Sequence, residues 1–141
     1  MKYIVHIIIT ALFVISCSTA KTAQTAQIEK IDNNSLLGRK FKLVSMHPQM
    51  NITIEFGKDT VSGFSAVNNY SSLYTSDGDI FNIISISLTK KHGTREETAA
   101  EIEYLNMLKN ATSYKIEGMK LTIYTLLSSN NLIFEEIWII C

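Results

Sequence analysis

Only one stretch beyond the N-terminus, Thr94 to Lys109, has helical periodicity; every other periodic segment alternates as a strand does. A chain with one helix among many strands must pack that helix against a sheet, because neither element can hide its apolar side alone. Thr94 followed three residues later by Glu97 forms a capping box, in which hydroxyl and carboxylate satisfy amides left open at the helix start. Ile102, Leu105 and Leu108 at three-residue spacing, with Tyr104 to Leu108 at four, predict an apolar stripe with Leu105 at its centre. Glu96, Glu97, Glu101 and Glu103, ahead of Lys109, follow the helix dipole and predict a polar face opposite.

Around this helix the alternation places strands at Lys40 to Met46, Asn51 to Phe56, Thr60 to Ala66 and Asn68 to Thr75. Gly57-Lys58-Asp59 reads as a turn, and Asp77-Gly78 is a strong hairpin signal. From Ile80 to Leu88 the apolar phase slips at Ile83-Ile84, which a bulge or a strand buried on both faces would explain. After the helix come Ser113 to Ile116, the turn Glu117-Gly118, Lys120 to Leu127, the turn Ser128 to Asn131, and Leu132 to Ile140. The single proline, Pro48, falls between the first two strands, where its missing amide is harmless. The expected class is α+β: an antiparallel sheet of seven to eight strands around one helix.

Lys2, an apolar run from Tyr3 to Ile15 and the small residues that follow have the parts of a secretory signal. The run falls short of the ~20 apolar residues a spanning helix needs. Val14-Ile15-Ser16-Cys17 is similar to a lipobox, in which the cysteine takes diacylglycerol before cleavage; an ordinary signal peptide with an incidental cysteine, or an uncleaved anchor, is the competing reading. The expected organisation is a signal peptide over 1–16, a lipidated Cys17 and tether over 17–34, and one domain over 35–141. Ser18 to Asn34, rich in Ala, Thr, Gln and Asn, has too little to bury to do more than link lipid and domain.

Lys and Arg number 13, as do Asp and Glu, and removal of the leader takes one lysine. Such a balance offers no basic stripe, so nucleic acid is not an expected partner. The only cysteines are Cys17 and Cys141, so the mature chain holds no internal disulfide once Cys17 carries lipid.

No chemistry-bearing constellation emerges. His47 and His92 lack the company a metal site requires, so no metal or cofactor is expected. Ser62, Ser65 and Ser71 lie near one another without an elbow motif and read as solvent-facing strand positions. Glu135-Glu136 interrupts an apolar strand and reads as protection of a sheet edge. Lys90-Lys91-His92 reads as a solvated loop, with lipid headgroups as the alternative contact. Tyr70, Tyr74, Tyr104, Tyr114, Tyr124 and Trp138 suit either core packing or a partner face. No catalytic residue is expected, and the chain reads as a non-enzyme.

Val61 to Tyr74 (V-S-G-F-S-A-V-N-N-Y-S-S-L-Y), with Leu37-Gly38, Phe56, Thr89, Glu101, Leu105, Tyr114, Gly118 and Leu132 to Phe134 in order, resembles the META/HslJ family of heat-shock-associated bacterial envelope lipoproteins. The resemblance runs from about Leu36 to Phe134, and its signature positions here are Gly63, Asn68, Tyr70, Thr89 and Gly118, all structural. Many members carry a cysteine before the asparagine and another after the threonine; Val67 and Gly93 stand there in this chain, so the staple is missing. The resemblance implies a partly open, antiparallel β-barrel-like sheet around the helix, similar to the pilotin lipoproteins that help assemble secretion channels. It implies an envelope protein, lipid-anchored at the outer membrane, that binds an envelope protein or lipid partner under stress. A pilotin-like carrier holding a lipid chain or peptide is the alternative, and an apolar cavity between sheet and helix distinguishes the two.

Overall fold

The computed structural model describes residues 35–127 and 130–138. Eight strands follow one another as an antiparallel meander: β1 (Lys40–Leu43), β2 (Thr53–Phe56), β3 (Thr60–Phe64), β4 (Asn69–Asp77), β5 (Ile80–Leu88), then α1 (Arg95–Lys109), then β6 (Ala111–Glu117), β7 (Lys120–Thr125) and β8 (Leu132–Glu136). Each pairs with the next, and β8 returns to β1 through Phe41↔Glu136 and Leu43↔Phe134, so the sheet closes into a barrel. The closure is uneven. β5 and β6 are bridged only at Ile80↔Ser113, reinforced by the Tyr114 amide donating to the Asp79 carbonyl at 2.8 Å. The expected opening in the barrel is this seam.

Local chemistry fixes the hairpins. Gly78 and Gly118 take positive φ of 61° and 63° in two-residue turns closed by Asp77↔Ile80 and Glu117↔Lys120. These turns and Gly57-Lys58-Asp59 lie at one pole, and α1 covers the other. The first strands are shorter than the alternation suggests because His47 and Asn51 bracket the 3-10 turn Pro48–Met50 with left-handed backbones. β8 ends at Glu136; Ile139, Ile140 and the turn residues Ser128 and Ser129 lie outside the described residues.

Inward positions fill the barrel completely. Phe41, Phe56, Phe81, Phe134, Leu43, Ile52, Ile54, Leu121, Ile123 and Leu132 are sealed from solvent. Phe56 sits at the centre, edge-on to Phe41 at 6.0 Å and Tyr74 at 5.7 Å between ring centroids. Eight strands enclose a space just wide enough for side chains, and these occupy it.

The phase slip in β5 is a bulge. Leu73 pairs with Ser85 and Tyr74 with Ile83, leaving Ile84 without an opposite. The extra residue restores the phase: Ile86 and Leu88, opposite the inward Ser72 and Tyr70, share the face of Phe81 and Ile83. Without it the second half of β5 would turn its aliphatics outward.

The helix corrects two expectations. Its capping box is present, Thr94 Oγ1 accepting from the Glu97 amide at 3.2 Å and Glu97 accepting from the Thr94 amide at 2.8 Å. The buried face, however, is Ala100, Glu101, Tyr104, Met107 and Leu108; Ile102 is 64% exposed and Leu105 lies on the flank. Leu108→Ala is accordingly expected to cost ~2–5 kcal/mol through its cavity. Leu105→Ala should lose roughly half that and Ile102→Ala under about 0.5 kcal/mol, read from denaturant midpoints.

Glu136 protects no edge, since β8 is paired on both sides. Arg39 grips it with two parallel bonds, Nε to Oε1 at 2.8 Å and Nη2 to Oε2 at 2.6 Å, and reaches the Gly118 carbonyl at 2.7 Å. The guanidinium also stacks 5.0 Å from the Phe41 ring centroid. One side chain thereby ties the start of β1, the β6–β7 turn and the end of β8, in the forked geometry that only arginine supplies.

Candidate functional site

The densest polar constellation is buried where α1 crosses the β3–β4 turn. Glu101, expected on the polar face, is only 7% exposed and points into the Ser65–Asn68 turn. Its Oε2 accepts from the Ser65 hydroxyl at 2.5 Å and the Asn68 amide at 2.8 Å, and its Oε1 accepts from Asn68 Nδ2 at 2.8 Å. Burial pushes the carboxyl up; donation from Ser65, from the Asn68 side chain and from the amides of Asn68 and Val67 outweighs it and holds the group below the ordinary carboxylate value. Ser65, expected to face solvent, is fully buried for the same reason; Ser62 and Ser71 are exposed as the alternation predicts.

Asn68 is the hinge of this network. Its Oδ1 accepts from Thr89 Oγ1 and from the Lys91 amide, both at 2.8 Å, which fixes the side-chain amide with Nδ2 toward Glu101. Its carbonyl takes the Ser65 amide at 2.8 Å. Within the turn, Ala66 sits at φ 91°, a conformation costing ~1–3 kcal/mol that persists because the surroundings over-determine it. A helix carboxylate thus does what a turn carbonyl ordinarily does: it satisfies the amides of a strained hairpin.

Beside it runs a phenol pair. Tyr70 donates to the Thr53 carbonyl at 2.9 Å, so the 2.7 Å contact between the hydroxyls of Tyr70 and Tyr104 must have Tyr104 as donor. Burial raises both phenols above their ordinary value. The Tyr70 ring passes over Gly63, its partner across β3 and β4. Of the signature positions, Gly63, Asn68, Tyr70 and Thr89 therefore converge here, while Gly118 serves the distant β6–β7 turn.

Val67 and Gly93 are neighbours. A Cβ built on Gly93 would stand 2.5 and 3.2 Å from the two Val67 methyl carbons, so a valine packed on a bare glycine fills the place of the missing staple. Gly93 is not among the positive-φ residues, so its backbone tolerates a side chain. Val67→Cys with Gly93→Cys is expected to close a disulfide and stabilise the chain by about 3 kcal/mol on loop-entropy grounds. Thiol titration and denaturant midpoints with and without reductant check this.

The remaining candidates disperse. His47 Nε2 lies 2.8 Å from Glu103 Oε2 on the surface, and Lys90, Lys91 and His92 are exposed. Tyr70, Tyr74 and Tyr104 are core; Trp138 is exposed. Cys17, Cys141, the leader and the tether lie outside the described residues. Two open grooves of about 600 and 640 Å³ mark the poles, one between Leu36, Leu37, Tyr114 and Ile116, the other between Met46, Met107 and Ile133. Glu101 lines neither. With its oxygens turned to fixed donors, the carboxylate acts as a structural lock.

The META domain model matches residues 34–136, most of the chain. The chain belongs to the META domain family. The match takes in the Glu101 lock, both staple positions and all eight strands of the META barrel. An NMR structure of a protein from Burkholderia xenovorans is similar, with TM-score 0.59 and 17% identity over 72% of this chain and 83% of that one. A crystal structure of a DUF4847 family protein from Bacteroides vulgatus has TM-score 0.56 and 14% identity over 71% of this chain and 93% of that one. At such identity the likeness concerns the fold alone. No curated protein matches the chain.

Proposed function

We propose that the chain is a non-enzymatic envelope lipoprotein, anchored through Cys17 at the outer membrane, whose META domain is an interaction module in the envelope stress response. The observation that carries this reading is the pairing of a lipobox, Val14-Ile15-Ser16-Cys17, with a barrel whose interior is filled by its own side chains. A domain so packed offers its surface to partners. An acyl chain held between sheet and helix would have to displace Tyr104 or Leu108, so the carrier reading has less support. Association with heat stress comes from the family resemblance, and the partner is an envelope protein or lipid.

Cys17→Ala is expected to abolish incorporation of radioactive fatty acid and to leave the precursor unprocessed. Label persisting on the variant would remove Cys17 as the acceptor and the anchoring with it. Affinity capture from heat-stressed envelope extract, with proteins and lipids both identified, tests the interaction half of the reading.

A further inference from the structure

Among the described residues, β5 beyond its bridge to β6 keeps a strand neighbour on one side only. Ser85 and Ser87 pair with Leu73 and Ser71 of β4, and the Thr89 amide donates to the Asn69 carbonyl at 3.0 Å, so these residues turn their main-chain groups toward β4. Ile86 and Leu88, between them, turn theirs the other way. That is the side where β6 would lie had the pairing continued past Ile80↔Ser113. Among the described residues, no N–H or C=O of Ile86 or Leu88 finds a partner there.

The flanks of this edge are apolar. Ile84, the bulged residue, is 60% exposed and Leu88 44%. On α1, Glu103 meets His47 in the β1–β2 loop and Glu101 meets the β3–β4 turn. The next flank of α1 beyond Glu101 carries the part-buried Leu105, beside the seam where α1 packs against β5, while Ile102 lies opposite the buried face and points to solvent. A long aliphatic strand edge is ordinarily blunted by charge, proline or cover; between Ile84 and Leu88 the sequence I-S-I-S-L contains no charge and no proline.

We propose that the seam between β5 and α1 is an acceptor site for an extended peptide, which adds to β5 as a strand with an aliphatic residue at every second position. Donors and acceptors repeating every second residue are matched by another main chain, whereas a lipid tail offers neither. The slot is closed at one end by the Ile80–Ser113 bridge and on its inner side by α1, which suits a single strand better than a second barrel bringing its own helix. The inference rests on reading the domain as an interaction module and gives that module a surface and a class of partner. Its test is independent of lipidation, so failure here leaves the anchoring result at Cys17 standing.

The probe is a fluorescein-labelled ten-residue peptide of alternating isoleucine and threonine with lysine at each end, added to the full chain in detergent micelles. Saturable anisotropy is expected, with amide exchange at Ile86 and Leu88 slowing about tenfold or more when the peptide is bound. N-methylating one alternate set of peptide amides should weaken binding about tenfold or more, and the other set less than about twofold, because only one edge of the added strand faces β5. Ile84→Lys, at an exposed position on the open edge, should also weaken it about tenfold while leaving the melting temperature within a few degrees. The proposal is overturned by no saturable binding at about 1 mM peptide, by equal loss from both methylated sets, or by slow exchange at Ile86 and Leu88 without peptide. It is overturned equally by a dimer in sedimentation that Ile84→Lys dissociates, which would make a second copy the occupant.

Discussion

Gly63→Ala is expected to unfold the barrel or bring it to the edge of unfolding. An added Cβ would stand 2.0 Å from the Thr53 carbonyl oxygen, 2.8 Å from its carbon and 3.0 Å from Tyr70 Cε1. None of these is a flexible chain end. The carbonyl belongs to β2 and is held by the Tyr70 hydroxyl, while Thr53 Oγ1 accepts from the Phe64 amide at 3.1 Å. Relief requires β2 to part from β3 or Tyr70 to leave the core, breaking its contact with Tyr104 as well. A loss above about 3 kcal/mol follows, against a total of ~5–15 kcal/mol for a domain. The thermal midpoint should fall by at least about 12 °C. Gly78→Ala is the control: its Cβ would meet nothing within 4 Å, so it bears only the strain of φ 61°, about 1 kcal/mol. Equal midpoints for the two variants would mean that β2, β3 and Tyr70 do not pack as described.

The features legible in the sequence are those whose chemistry is local. The capping box at Thr94 and Glu97, the turns at Asp77-Gly78 and Glu117-Gly118, and the bulge announced by Ile83-Ile84 each depend on residues a few positions apart. Features that depend on distant partners left no such mark. The Arg39–Glu136 pair spans 97 positions, so nothing near Glu136 distinguishes a barrel clamp from a charged edge. Helix rotation failed for a related reason: a carboxylate argues for solvent until its donors are known, and those of Glu101 lie 33 and 36 positions away. The four-residue step from Tyr104 to Leu108 pointed to the right face, and stepping back three residues from Tyr104 would have found Glu101 upon it.

Glu101→Ala should be the most damaging change on the helix, at ~3–5 kcal/mol, although alanine is the better helix former. It strands the Ser65 hydroxyl, Asn68 Nδ2 and the Asn68 amide in a buried site and leaves the strained Ala66 turn without its anchor. Glutamine should not rescue it. Its oxygen can replace Oε2, but its NH2 would then meet Asn68 Nδ2 donor to donor, and Asn68 cannot flip because the Lys91 amide and Thr89 hydroxyl already occupy its oxygen. A cost of ~2–3 kcal/mol is expected for Glu101→Gln at neutral pH. Acid should narrow the gap. Because the folded carboxyl lies below its ordinary value, its contribution is fully present above the unfolded value and lost as pH falls through the folded one. Denaturant midpoints of the parent and Glu101→Gln should therefore converge progressively below about pH 4.5, while Glu103→Gln, on the exposed His47 contact, should track the parent within about 0.5 kcal/mol throughout. A gap between parent and Glu101→Gln that held constant into acid would mean that hydrogen-bond geometry alone, without the negative charge, secures the β3–β4 turn.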